Sequence, residues 1–148
     1  MRYSLDLVHT SRDWTEIHKI RSEVLFDGFD DGFIYDENHP DDRLPGHFPF
    51  ILRYDEETIG TARLDINGEI GVVRLVAIAK RYQSKGHGKV LDALIEAEGR
   101  KHNLKMLCVN AEPQAVQFYM HTGWERCLWD QAELVGLAEG CQQMIKAL

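Results

Sequence analysis

The sequence predicts one α/β domain, residues 1–148, organised around a mixed sheet. Three observations predict it. A length of 148 residues suits a single domain, since domains usually run to roughly 100–200 residues. Three β-patterned runs follow one another between Phe48 and Ile78, joined by tight-turn signals. Helical runs lie before and after that meander, and further strand patterns follow them.

Residues 3–8 alternate loosely and read as a first strand. Ser11 caps a helix that carries Trp14, Ile17, Ile20 or Arg21, and Val24 at helical spacing. Residues 27–42 are acidic, turn-rich and studded with aromatics. That segment is too long for a plain connection, and long loops in compact domains are often functional. Residues 48–54 and 58–66 are strands around a turn at Asp55, Glu56 and Glu57. Asn67-Gly68 is a hairpin signal leading into 69–78, where the run from Val72 to Ile78 has the texture of a central strand. A polar turn, Gln83-Ser84-Lys85-Gly86-His87-Gly88, then opens a helix reaching about His102, with Val90, Leu91, Leu94, Ile95 and Ala97 on its apolar face. Residues 104–110 form another strand. Pro113 suits the first turn of a helix that carries Ala115, Phe118 and Tyr119 and stops at Gly123. The tail, 124–148, holds two more strands around a glycine-containing turn.

Composition excludes several classes. Seventeen basic and 24 acidic residues give a net charge of −7, which argues against a nucleic-acid binder because neutralising phosphates needs surplus Lys and Arg. No apolar run reaches the ~18 residues of a membrane span, and an acid at position 6 interrupts the stretch that a signal peptide needs. Cys108, Cys127 and Cys141 are odd in number and form no CxxC, so a reduced cytoplasmic setting is the expectation. The histidines other than His87 show no metal-ligand spacing, and no metal site is expected.

The strand, glycine turn and helix at residues 72–101 carry the chemistry. A strand that runs through such a turn straight into a helix presents several free backbone N–H groups, and the helix dipole adds to them. Gly86 and Gly88 lack Cβ, so an anion can approach the backbone closely, and Lys85 and Lys89 add positive charge. The alternative is a tight turn with no ligand. A P-loop fails because Lys89 is followed by Val90 and the earlier glycine position holds Gln83. A dinucleotide fingerprint fails because the third glycine position holds Leu91.

The stretch from Arg74 to Ile78 followed by Gln83-Ser84-Lys85-Gly86-His87-Gly88 resembles the acyl-CoA motif [R/Q]-x-x-G-x-[G/A] of the GNAT N-acetyltransferase family. Asn110-Ala111-Glu112, then Ala115 and the run from Phe118 to Trp124, is similar to the family's later N-A-x…A-x-x-F-Y-x-x-x-G-[F/W] motif. The block Gly60-Thr61-Ala62-Arg63-Leu64 adds a weaker third likeness. The resemblance implies a mostly antiparallel mixed sheet flanked by helices, with splayed central strands. It implies acetyl-CoA as the acyl donor. The pantetheine arm would pair with the backbone of Val76, Ala77 and Ile78, and an N–H near Val76 would polarise the thioester carbonyl. The pyrophosphate would sit on the N–H groups of Ser84, Lys85, Gly86, His87, Gly88 and Lys89, beside Gln83. Tyr119 would be the general acid for the departing thiolate, or else a packing residue. Asn110 would lie near the cofactor, or else cap the next helix. The His87 side chain would touch phosphate or be exposed. Final strands of this fold often pair between chains, so the resemblance also implies a homodimer.

The resemblance implies that the acceptor is a primary amine of a small molecule or a protein, whose ammonium must lose a proton before attack. Base candidates are Asp65, Glu69, Asp36, Glu37 and Asp41. Arg63 and Arg74, neighbours on adjacent strands, would hold a substrate carboxylate or form salt bridges with Asp65 or the acidic loop. Phe29, Phe33 and Tyr35 would wall the acceptor pocket or anchor the loop. The acidic loop favours a cationic acceptor and the two arginines an acidic one. Cys108 reads as buried, which disfavours a covalent cysteine intermediate. A longer acyl-CoA, a CoA-binding module without turnover, and a signal synthase of the acyl-homoserine-lactone type are the alternatives.

Overall fold

A computed structural model describes residues 2–28 and 32–148. Seven strands form one sheet in the order β1-β2-β3-β4-β5-β7-β6. They are β1 (Tyr3–Leu7), β2 (His47–Tyr54), β3 (Glu57–Asn67), β4 (Ile70–Ile78), β5 (Met106–Ala111), β6 (Glu125–Arg126) and β7 (Gln142–Ala147). All neighbours are antiparallel except β4 and β5, which are parallel. A parallel pair needs a long crossover, and here α2 (His87–Lys101) supplies it.

Helix α1 (Ser11–Arg21) begins one residue earlier than a Ser11 cap would place it. Thr10 is the cap: its hydroxyl accepts from the Asp13 N–H, and the Asp13 carboxylate accepts from the Thr10 N–H. The helix runs on through a π-helical turn, Ser22–Phe26. The acidic segment that follows holds one short 3₁₀ turn, Pro40–Arg43.

Strand alternation sorts the core onto two faces. Phe50 and Leu52 of β2 join Leu64, Leu91, Ile95, Val116 and Tyr119, so α2 and α3 (Val116–His121) cover that face. Ile51, between them, points the other way and packs with Ile17 and Trp14 of α1. Among the described residues no helix is long and apolar enough to cross a membrane.

Two turns differ from the expectation. Asn67 pairs with Ile70, so the hairpin loop is Gly68-Glu69 and not Asn67-Gly68. Only its first residue has positive φ, +63° at Gly68, the pattern of a II′ loop. Between β6 and β7 lies a connection of two 3₁₀ turns, Gln131–Glu133 and Gly136–Ala138, not a simple glycine turn.

The parallel pair is short. Val73 pairs with Val109, and beyond that point β4 and β5 share no register, although β4 continues to Ile78. The central strands are therefore splayed, and the splay opens a gap through the sheet.

Candidate functional site

The β4 edge facing the gap is shaped by a bulge. Arg63 pairs with Arg74 and Thr61 with Ala77, which leaves Leu75 and Val76 without partners on β3. Leu75 takes φ +54°, a left-handed conformation that a branched residue holds only when its surroundings impose it. The bulge re-aims the strand as it enters the gap. At the far end the Gln83 side-chain amide donates to the Ile78 carbonyl at 2.9 Å, so that carbonyl faces the open edge.

The turn after β4 delivers N–H groups. Ser84 has φ +62° and Gly86 has φ +87°. Gly86 is the N-terminal cap of α2 and brings no capping side chain, and the first turn contains no acid. The N–H groups of His87, Gly88 and Lys89 are thus free to meet an anion. A Cβ at Gly86 would meet nothing within 4 Å, so space stands open there. Gln83, Ser84, Gly86, Gly88 and Lys89 line a groove of about 390 Å³ whose other wall is Phe118, His121 and Thr122 near α3. The residues present fit a CoA pyrophosphate.

The His87 side chain follows neither expectation. It is buried, its Nδ1 lies 2.7 Å from the Tyr3 hydroxyl, and its ring packs with Tyr54 and Tyr82. Only its backbone faces the turn. The first residue of a helix aims its side chain back over the preceding structure, and here that structure is the aromatic end of the β1–β2 pair.

A larger cavity of about 600 Å³ lies where the gap meets the acidic segment. Val76, Asn110 and Tyr119 line it from the splay, and Phe33, Tyr35 and Asp36 line it from the segment. Phe29 falls outside the described residues. Tyr119 is buried, with its ring edge-on to Phe118 and Trp124. Among the described residues nothing hydrogen-bonds its hydroxyl. Burial first, then the Asp92 and Glu112 carboxylates, push its pKa well above the usual phenol range. It stays a neutral proton donor at any working pH.

The two arginines are neighbours in register, as expected, but they are occupied. Arg63 binds Asp65 through Nε at 2.8 Å and Asp42 through Nη1 at 3.1 Å. Arg74 binds Asp65 at 2.9 Å and grips Glu133 with two hydrogen bonds of 2.8 and 2.9 Å. Arg21, fully buried, binds Asp42 at 2.9 Å. Three cations thus alternate with three carboxylates across the α1 face. Burial alone would lower the pKa of Arg63 and Arg74, but their carboxylates override it and hold both firmly charged. This chain of ion pairs takes up Arg63 and Arg74, which is the salt-bridge alternative to a substrate-carboxylate clamp, with Asp65 and with Asp42 of the acidic segment, while Nε and Nη2 of Arg21 stay buried without a partner among the described residues. Asp65 is equally committed, which removes it as a base. Glu69 sits in the β3–β4 hairpin loop, away from the cavity lining.

Asn110 lies near the end of β5 and lines the cavity, as one reading expected, but it does not cap the next helix. Its amide donates to Glu133 and its carbonyl oxygen accepts from Gln143, while Glu112 occupies the cap position of the next turn. Cys108 is buried, and desolvation pushes its thiol up to about 11, which leaves no thiolate to act as a nucleophile. The partners Asp42, Glu133 and Gln143 were not singled out by sequence. The available signal was arithmetic: two arginines on adjacent central strands require buried counter-carboxylates, and the acidic segment supplies one.

The acetyltransferase (GNAT) domain family model matches residues 22–139. A Bacillus subtilis (strain 168) protein named as an acetyltransferase is 32% identical over 92 residues, which cover 62% of this chain and 63% of that protein. The chain therefore spans about 63% of the length of that curated relative. Among solved structures, a spermidine N-acetyltransferase chimera from Vibrio cholerae and hSSAT superposes with a TM-score of 0.77 at 17% identity, covering 99% of this chain and 96% of the other. The paia N-acetyltransferase of Thermoplasma acidophilum, in complex with coenzyme A, gives 0.74 at 15% identity over 100% of both chains. N-acetylglutamate synthase from Neisseria gonorrhoeae, complexed with coenzyme A and L-arginine, gives 0.75 at 16% identity, covering 99% of this chain and 33% of that one. At these identities the likeness is one of fold. The splayed seven-stranded sheet is that of the acyltransferases these structures represent. The chain belongs to the GNAT acetyltransferase family.

Proposed function

We propose that this chain is an acetyl-CoA-dependent N-acetyltransferase that acts on a primary amine of a small molecule or protein by direct attack within a ternary complex. One observation carries the reading: the open edge of β4 leads from a turn lined with free N–H groups into a cavity that holds a buried, unpartnered phenol. Acetyl-CoA supplies an acyl group activated as a thioester. The N–H groups from Ser84 to Lys89 bind its pyrophosphate, helped by Lys85 and Lys89. The bulge leaves Val76 without a partner on β3, and in this reading its N–H polarises the thioester carbonyl. The Ile78 carbonyl, held by Gln83, is the acceptor for a pantetheine amide. The amine nitrogen bonds to the acyl carbon as the C–S bond breaks, Tyr119 gives its proton to the departing thiolate, and the proton that the nitrogen sheds on becoming an amide restores the phenol.

The free thiols of Cys108, Cys127 and Cys141 support a reducing, cytoplasmic setting. The reading includes a homodimer through the β6–β7 edge, where β6 covers only two residues of β7; light scattering tests it. The activity is tested by thiol release from acetyl-CoA with spermidine, lysine, glutamate, phenethylamine and a peptide with a free N-terminus. Amine-dependent release from any of them supports the reading. Tight CoA binding without release from any would favour a binding module, and faster release from a longer acyl-CoA would favour a different donor.

A further inference from the structure

The reaction needs a proton acceptor for the incoming ammonium, and the carboxylates that sequence suggested do not provide one inside the cavity core. Asp65 is tied to two arginines, while Asp36 and Asp41 line the cavity from its open side, Asp36 exposed and Asp41 half-buried, each with a local contact within the segment. Tyr35 stands differently. It lines the cavity that Val76 and Tyr119 also line, and its hydroxyl sits between two buried groups of α1. The Nδ1 of His18 lies 2.5 Å away, and Nη1 of Arg21 lies 3.2 Å away.

The hydrogen-bond inventory fixes the direction of the Arg21 contact, and the imidazole tautomer sets that of the His18 contact. A guanidinium only donates, so one lone pair of the Tyr35 oxygen accepts from Arg21. In the neutral imidazole that carries its proton on Nε2, Nδ1 of His18 accepts the phenolic proton, and this is the tautomer the relay uses. One lone pair of the phenol remains for a donor in the cavity. Burial supports the neutral imidazole: His18 is 8% exposed, and desolvation lowers its basicity from the ordinary value. The charged groups facing it are Arg21 on its own helix and Glu37, Asp42 and Arg43 on the segment that follows, so the charges nearly cancel. Burial keeps Tyr35 a phenol rather than a phenolate, with Arg21 opposing that effect.

We infer that Tyr35 and His18 form the proton relay that deprotonates the acceptor amine, with Tyr35 as the catalytic residue and His18 as the positioned proton sink behind it. The inference rests on the acetyl-transfer reading above. The ammonium N–H bond breaks toward the Tyr35 oxygen as the phenolic proton passes to His18 Nδ1. One proton leaves the amine, His18 gains one, and Tyr35 is unchanged. The free amine then attacks, and the imidazolium returns the proton to solvent after the product leaves. Glu37 and Asp42 are placed to steady the transient imidazolium. Tyr35 also rests on Phe26, with ring centroids 5.1 Å apart, which fixes the hydroxyl against α1.

The test compares two amines of nearly equal shape, phenethylamine, which is protonated at neutral pH, and O-benzylhydroxylamine, which is already neutral. Thiol release is measured for wild type, Tyr35→Phe and His18→Asn. Binding of acetyl-CoA and thermal midpoints serve as folding controls. The Phe ring keeps the packing of Tyr35, and Asn keeps an acceptor near the hydroxyl without a proton sink. The expected result is a loss of about 10²-fold in kcat/KM for phenethylamine in Tyr35→Phe, with only a few-fold loss for O-benzylhydroxylamine and unchanged acetyl-CoA affinity. Wild type should gain phenethylamine activity through an inflection at or below the ordinary imidazole value of about 6.5, and His18→Asn should lack that inflection. Equal losses for both amines, or no loss for either, would overturn the relay while leaving acetyl transfer intact. If wild type binds acetyl-CoA but releases thiol with neither of these amines nor with any other amine of the panel above, the relay falls together with the acetyl-transfer reading.

Discussion

The pyrophosphate site can be broken with little damage to the fold, because its geometry separates stability from binding. Gly86 holds φ +87° and ψ 0°, and a Cβ there would meet nothing within 4 Å. Replacing Gly86 by Glu therefore adds no clash to the free protein. Its cost is the left-handed backbone, roughly 1–2 kcal/mol for a residue with a side chain. In a chain of this size each kcal/mol lowers the thermal midpoint by about 2–4 °C, so a drop of a few degrees is expected. Binding suffers far more. The side chain enters the space beside the free N–H groups of His87, Gly88 and Lys89, and its carboxylate repels the diphosphate. Losing two charge-assisted hydrogen bonds at about 1.5–3 kcal/mol each means a weakening of about 10²- to 10⁴-fold. Gly86→Ala is the control: it carries the same backbone cost, no charge, and a much smaller affinity loss. Isothermal titration with acetyl-CoA reads both variants against wild type. A folded Gly86→Glu protein with wild-type affinity would refute the placement of the pyrophosphate at this turn.

Further outcomes follow from other parts of the site. Tyr119→Phe should lower turnover by about 10²-fold or more, with acetyl-CoA affinity unchanged; steady-state kinetics beside a titration would show it, and full activity would return Tyr119 to packing. Because Tyr119 stays protonated over the whole working range, wild-type activity should show no loss from its ionisation up to pH 10 or so. His87→Ala should lower stability by about 2 kcal/mol through lost ring packing and the Tyr3 hydrogen bond. It should leave CoA affinity within a few-fold, and a selective affinity loss in a fully stable variant would contradict the buried role. Asp42→Asn should cost about 3–5 kcal/mol, since it strands Arg21 and Arg63. Burial pushes the Asp42 carboxyl up, but Arg21 and then Arg63 hold it below its ordinary value. A lowered folded value means stability that is present above the unfolded value of about 3.9 and lost as pH falls through the folded one. The gap between wild type and Asp42→Asn, read by chemical denaturation, should therefore narrow below about pH 4.

The features that were legible in the sequence are those whose signal is local. The glycine turn from Gln83 to Gly88 and Gly123 after α3 each mark a boundary through backbone constraints alone, and each lies where it was expected, whereas Pro113 opens a separate 3₁₀ turn, Pro113–Ala115, ahead of α3 rather than the first turn of that helix. The Asn67-Gly68 pair shows the limit of such signals, because the strand register shifted the loop by one residue. The fate of Arg63, Arg74 and Asn110 was decided by partners far along the chain, Asp42 and Glu133, which no spacing rule brings together. The same holds for His87, whose aromatic surroundings come from β1 and β2. Tyr35 could be marked as an aromatic of a long loop, but its link to His18 and Arg21 needed the fold of that loop over α1.

The central claim is that this chain binds acetyl-CoA along the open edge of β4 with its pyrophosphate on the turn that opens α2. The most direct measurement is a pair of calorimetric titrations, one with acetyl-CoA and one with S-acetylpantetheine, which keeps the thioester and the arm but lacks the pyrophosphate. The account predicts one acetyl-CoA site per chain and a loss of about 10²-fold or more in affinity for the truncated ligand, as expected when at least two charge-assisted hydrogen bonds disappear. Equal affinity for the two ligands, or no binding of acetyl-CoA, would contradict it.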